Sequence, residues 1–275
     1  MKKNLFIILV LTVLSITTPG LSAAETWDFL PAEPLFDPII GDLRETHDNL
    51  TVQTDQSRFE GAVGQGIEFL QWRPDDGTSW GWGIEGASYI ELDSIGSSMF
   101  PERVSDWLFG TYFSMKSDDL SFRLQYLHVS SHLGDELFYT IPRIIYSRES
   151  LRLTASCDLS GSFRLYGGLG YWTHLSLNPD DPRIFGHAGL ELYTSFFPFI
   201  IGTSGRGYFS YDLQIFGEAG GVTDQTFQAG LQWKWKKDSH QSIRMALLYY
   251  LGNSQYGQFY QMNDNHWGLG IFFDP

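Results

Sequence analysis

Residues 127–136 read LHVSSHLGDE, with two histidines and two serines at the end of a stretch that otherwise alternates apolar and polar side chains. An imidazole two residues before a hydroxyl can act as a general base beside a nucleophile. On an extended strand His128 and Ser130 share a face about 6.6 Å apart, close enough for the ring to reach the hydroxyl. The third member of such a set must come from a neighbouring strand, and Glu149 has the matching parity; Asp135 and Glu136 in the following loop are the alternatives. His128 and His132 lie about 13 Å apart on a strand and do not share a metal unless the chain bends. Asp135 with Glu136, and Asp180 with Asp181, offer oxygens of the kind that hold Ca²⁺, although loop acids are more often solvated charge. No other metal or cofactor is indicated. The plain reading of LHVSSHLGDE is a polar strand end. A bulge at Tyr126 or Leu127 would turn His128 inward and leave Leu127 and Val129 outside.

Which reading holds depends on the protein around these residues. Lys2 and Lys3 precede an apolar run, LFIILVLTVLSI, broken by Pro19 and Gly20 and followed by small residues at Ser22, Ala23 and Ala24. This pattern predicts a cleavable secretory signal over 1–24, too short for a membrane helix. Cys157 is the single cysteine, which excludes an intrachain disulfide framework. A net charge of −14 argues against a nucleic-acid partner. The aromatic content, 16%, and the 29 glycines fit a soluble sandwich or an outer-membrane barrel with aromatic girdles.

Period-two patterning separates these two. In FQAGLQWKWK, Phe227, Ala229, Leu231, Trp233 and Trp235 share one face, and Gln228, Gly230, Gln232, Lys234 and Lys236 the other. Phe209, Tyr211, Leu213 and Ile215 oppose Ser210, Asp212 and Gln214 in the same way. About twelve such strands follow one another, joined by connections that alternate roughly between short (74–79, 117–120, 158–161) and long (93–105, 133–145, 174–184, 253–264). A membrane forbids open sheet edges, so the expected fold is all-β, a single closed antiparallel transmembrane barrel over 46–275. Segment 197–207 is long where a short turn is due. Residues 25–45 carry three prolines and no alternation, and read as a periplasmic lead-in that folds into the barrel mouth. Arg123, Gln125, Arg152, Gln232 and Lys234 point inward and predict a polar, side-chain-filled lumen. The barrel-assembly machinery is the expected partner in biogenesis.

In strand 119–132, Leu120, Phe122, Leu124 and Tyr126 form the apolar face, which in a membrane barrel meets lipid. Unbroken alternation places His128, Ser130 and His132 on that outer wall. With a periplasmic N-terminus this strand runs outward and ends near the outer leaflet, among lipid and lipopolysaccharide. His132, Asp135, Glu136 and Gln258 are then candidates for the extracellular rim.

LFDPIIGDLRE (35–45), HVSSHLGDE (128–136), IIYSRESLRL (144–153), GNSQYGQFYQ (252–261) and WGLGIFF (267–273) resemble an uncharacterised bacterial family of outer-membrane β-barrels, a domain of unknown function. The resemblance implies fold and location and no activity. More locally, His128 and Ser130 resemble the His-x-Ser that outer membrane phospholipase A and the lipid A deacylase carry on a strand. The phospholipase's downstream asparagine-glycine pair is absent; Ser131 and His132 stand there instead. Three functions stay open: hydrolysis of outer-leaflet lipid esters, binding or transport of a small solute, and a structural role in the envelope.

Overall fold

A computed structural model of the 275-residue chain describes residues 25–54, 57–93, 100–135, 137, 141–177, 180–198, 204–217, 221–234 and 241–274. The signal segment, 1–24, and Glu136 lie outside the described residues. The strands in chain order are β1 (Thr26–Phe29), β2 (Asp48–Gln53), β3 (Arg58–Arg73), β4 (Thr78–Asp93), β5 (Glu102–Ser117), β6 (Leu120–Leu133), β7 (Tyr146–Asp158), β8 (Phe163–Leu175), β9 (Ile184–Tyr193), β10 (Phe197–Pro198), β11 (Ser204–Phe216), β12 (Val222–Lys234), β13 (Ser242–Leu251) and β14 (His266–Asp274). β2–β9 and β11–β14 form one antiparallel sheet that closes through pairing of β14 with β2, giving a twelve-stranded barrel. Among the described residues no helix is long and apolar enough to cross a membrane. Closure satisfies the strand backbones without water, as a bilayer demands.

The faces are inverted relative to a soluble protein. Val63, Ile67, Trp107, Phe109, Leu124, Leu153, Leu169 and Leu269 are exposed on the outer wall. Gln71, Gln125, Thr154, Glu191, Gln228 and Arg244 are buried inside. Alternation along each strand produces both faces at once. Inward Arg123, Gln125 and Gln232 are buried, and Arg152 and Lys234 are half-buried. At the two ends of segment 197–207, Phe197 and Pro198 of β10 pair with Gly205 and Ser204 of β11.

The first strand of the wall is split. β2 pairs with β3 at residues 58–62 and β1 with β3 at residues 70–73, on the same edge. Between them the chain leaves the wall and enters the lumen. Leu35, Phe36, Ile39, Ile40, Asp42, Leu43, Glu45, Thr46 and His47 are buried there. Prolines at 31, 34 and 38 cannot donate ladder hydrogen bonds, so this stretch does not continue as a strand.

Charge pairs with the wall hold the inserted segment. Arg123 Nη1 and Nη2 donate to Glu45 Oε1 and Oε2 at 2.6 and 2.8 Å. Arg44 Nη2 donates to Asp106 Oδ2 at 3.0 Å, and Arg152 Nη1 to Asp42 Oδ2 at 3.3 Å. Arg164 donates to the Asp37 and Pro38 carbonyls at 2.7 and 2.9 Å, and the Ile40 amide donates to Glu191 Oε1 at 2.9 Å. Burial pushes the Glu45 carboxyl up, but the adjacent Arg123 guanidinium outweighs it and holds the group below the usual carboxylate range.

Candidate functional site on the outer wall

β6 keeps its alternation to the end. Ser121, Arg123, Gln125, Leu127, Ser131 and Leu133 are buried; Leu124, Tyr126 and His132 are exposed, and His128 and Ser130 lie between these classes. Its pairings with β5 and β7 run without a register shift from Leu120 to Leu133 and from Leu120 to Ser131. The turn of His128 into the lumen that a bulge would have caused does not occur. His128 and Ser130 stand on the outer wall near the long-loop end, beside outward Phe109 and Trp107, their partners in β5.

The register sets Glu149 of β7 directly opposite His128 and Ser147 opposite Ser130. His128 Nδ1 lies 3.7 Å from Glu149 Oε1, an ion-pair separation slightly longer than a hydrogen bond. The side chains are 41% and 35% exposed. Tyr126 donates its hydroxyl to the other carboxylate oxygen, Oε2, at 2.8 Å. The carboxylate thus has one oxygen fixed and one turned toward the imidazole. Among the described residues no hydrogen bond joins His128 to Ser130, so the nucleophile end of the set is open. With Nδ1 on the carboxylate side, Nε2 is the nitrogen left to take a proton.

A feature beyond the sequence reading lies on the far side of Glu149. The β7–β8 pairing shifts between Glu149 and Ser150, which pair with His174 and Trp172. Thr173 is the extra residue, and it and His174 are both exposed. Thr173 Oγ1 donates to the Glu149 carbonyl at 3.1 Å. His128, Glu149 and His174 therefore cross three strands as one polar row on the outer wall.

The rim candidates divide. His132 faces outward at the end of β6, and Asp135 is exposed just beyond it. Gln258 is buried in the 3-10 turn Gly257–Phe259: its amide group donates to the Ser131 and Ile144 carbonyls at 2.9 and 3.0 Å and accepts from the Ile144 amide at 3.1 Å. It ties the last long loop to β6 and to the chain leading into β7. Elsewhere Glu60, Glu91 and Asp264 bring carboxylates together. Arg58 reaches Glu91 and Asp264 at 3.4 Å each, and Arg103 reaches Glu91 at 2.6 Å, so cationic side chains already answer that cluster.

A closed twelve-stranded barrel with an apolar outer wall and a polar interior is an outer-membrane type of β-barrel. Residues 16–274 match the model of the protein family of unknown function DUF1207, and the chain belongs to that family. Among solved structures it is similar to the calcium-bound dimer of the Salmonella typhi outer membrane phospholipase, with 13% identity and a TM-score of 0.56 over 83% of this chain and 90% of that one. Outer membrane phospholipase A from Escherichia coli is alike at 13% identity and 0.55 over the same shares. The KdgM porin is 9% identical with a TM-score of 0.44 over 84% of this chain and 98% of that one. Identities this low establish the fold alone. No curated protein sequence matches the chain.

Proposed function

We propose that the protein resides in the outer membrane and hydrolyses acyl esters of outer-leaflet lipid, phospholipid or lipopolysaccharide, on its outer wall. The observation that carries this reading is the cross-strand pair of His128 and Glu149 on the lipid side, with Ser130 on the same face. Polar groups facing hydrocarbon are costly, and a bilayer substrate gives them a use. The fold shared with an outer membrane phospholipase supports the reading as an analogy.

In this mechanism Ser130 Oγ attacks the ester carbonyl and its proton passes to His128 Nε2. Glu149 steadies the imidazolium through Nδ1–H, and Tyr126 keeps the carboxylate from swinging away. The imidazolium protonates the departing alcohol, leaving Ser130 acylated. Water, deprotonated by His128, then releases the fatty acid and restores the hydroxyl. Ser147, opposite Ser130, is the available side-chain donor to the oxyanion.

The test is fatty-acid release from mixed phospholipid and lipopolysaccharide vesicles by the refolded barrel, with and without Ca²⁺. Ser130→Ala and His128→Ala lower the rate by roughly 10³-fold or more, as removal of a nucleophile or base does, and Glu149→Gln lowers it less. Equal release by wild type and Ser130→Ala, with native heat-modifiable mobility in both, rules the mechanism out.

A further inference from the structure

The inserted segment leaves a chamber of about 340 Å³ at the short-turn end of the lumen. Pro38 and Ile40 of that segment border it, as do Asp119 and Gly161, both exposed at the turns. At about 30 Å³ per water it has room for roughly eleven waters, the space of a small organic molecule.

Most charges on its lining are answered within the protein. Arg164 Nη1 meets Glu191 Oε2 at 3.3 Å, and Arg244 Nε meets Asp274 Oδ2 at 2.8 Å. Asp37 and Lys234, one of each sign, also have partners. Arg206 differs. Its Nε donates to Gln232 Oε1 at 2.6 Å, and its guanidinium lies over the rings of Tyr193 and Phe196, 3.5 and 5.0 Å from their centroids. All three neighbours are neutral. Among the described residues no carboxylate lies within ion-pair distance of Arg206. Its two terminal nitrogens have no hydrogen-bond partner there and are not sealed from the chamber. A guanidinium seated on rings with that edge open is the form that takes a carboxylate through two parallel N–H bonds. The other uncompensated groups are acids: Asp119 at the turn between β5 and β6, and Asp158 at the end of β7. Among the described residues neither side chain has an ion-pair or hydrogen-bond partner. Arg164 and Lys116 act on Asp158 only from beyond ion-pair distance.

The two poles stand apart. Asp158 pairs with Arg164, Arg164 with Glu191 and Glu191 with Ser210, and Arg206 lies further along β11 toward the turn. With about 4.8 Å between strands and about 3.3 Å per residue, the backbones of Asp158 and Arg206 are roughly 19 Å apart along the wall. The reach of both side chains into the lumen shortens that gap to the length of about two or three extended residues, at about 3.3–3.6 Å each.

We propose that this chamber binds a short linear zwitterion, its carboxylate on Arg206 and its ammonium at Asp119 and Asp158, in the class of di- and tripeptides and ω-amino acids. A simple anion is opposed by the two aspartates, and a simple cation leaves Arg206 unanswered. An α-amino acid, with both charges on one carbon, is too short to reach both poles. The site lies at the opposite end of the barrel from the lipid chemistry proposed for the outer wall and does not depend on it.

The test is titration of the refolded barrel, in a non-ionic detergent, followed by saturation-transfer NMR of the ligand protons. The probes are trialanine, dialanine and 6-aminohexanoate, with alanine, N-acetyl-trialanine and trialanine amide as comparisons. The expected result is saturable binding of at least one of the first three at millimolar concentration. Acetylation or amidation, each removing one charge, weakens it about 10-fold or more. Tighter binding of the peptides than of 6-aminohexanoate assigns a peptide; the reverse assigns an ω-amino acid. Arg206→Gln abolishes saturation, and Asp119→Asn with Asp158→Asn weakens binding about 10-fold. Native heat-modifiable mobility qualifies each variant, and the blocked peptides test the proposal without any variant. It is overturned if wild type shows no saturable signal with any of the first three probes up to about 100 mM, a range that covers even very weak binding. It is equally overturned if alanine or a blocked tripeptide binds as tightly as the best of them, or if a qualified variant binds as wild type does.

Discussion

The pair of Arg123 and Glu45 carries the heaviest prediction, because it joins the inserted segment to the wall through two charge-assisted hydrogen bonds with both side chains nearly dry. They are 6% and 2% exposed, and the bonds measure 2.6 and 2.8 Å. Glu45→Leu leaves the Arg123 guanidinium buried, with its contact over the Phe36 ring, 4.5 Å from the centroid, as a remaining neighbour. Removing one partner of a buried pair costs about 3–5 kcal/mol, whereas replacing both by apolar residues is often neutral. The single variant is therefore expected to raise the unfolding constant roughly 10²- to 10³-fold or more, at 1.4 kcal/mol per decade. The double variant, Glu45→Leu with Arg123→Leu, returns to within about 1 kcal/mol of wild type. Urea unfolding from lipid vesicles, followed by tryptophan fluorescence, measures both. Amide exchange of residues 39–47 separates release of the inserted segment from loss of the barrel: it rises in the single variant while the strands stay protected. A single variant within about 1 kcal/mol of wild type, or a double variant as damaged as the single, refutes the reasoning that this pair pins the segment.

Gly230→Ala is expected to destabilise the barrel severely or prevent refolding, since its Cβ would lie 2.0 Å from the Met245 carbonyl oxygen, backbone that cannot step aside; heat-modifiable mobility reports it. His47 is 1% exposed, and burial, with Arg244 adding to it, pushes its pKa down to about 4 from 6.5. The unfolded chain therefore takes up that proton first, so the stability due to neutral His47 is whole above pH 6.5 and is lost as pH falls toward 4. His47→Phe flattens that part of the urea-midpoint profile; an unchanged slope between those limits contradicts the assignment. Planar-bilayer recordings of the intact barrel should show no steady ion conductance, because residues 35–47 fill the middle of the lumen; a stable open level in wild type contradicts this.

Much of the wall was legible in the sequence because side-chain period and burial coincide in a barrel. Phe209, Tyr211 and Leu213 against Ser210 and Asp212 fix a strand and its faces with no knowledge of neighbours. The outward aspect of His128 followed from the same parity, and the choice of Glu149 from parity plus height above the turn. The row beyond Glu149 was not legible, since the bulge that turns His174 outward depends on the register of three strands. Residues 25–45 were readable as a non-strand lead-in that folds into the barrel mouth, but their path was not. Its place is set by partners far along the chain, Glu45 with Arg123 and Asp37 with Arg164, and no local pattern encodes such distances.

The split first strand also constrains how the molecule is made. Residues 30–47 lie inside, and the chain is built into the wall on either side of them, at β1 and β2. Once β2 and β14 have joined, along Asp48–Gln53 and Gly268–Phe273, the segment is threaded like a bolt through a closed hoop. Its leading end is held to the wall by β1 alone, through four residue pairs with β3. Closure of the wall zips six residue pairs at its other end. The leading end, latched by fewer pairs than the seam, can therefore be the last part set.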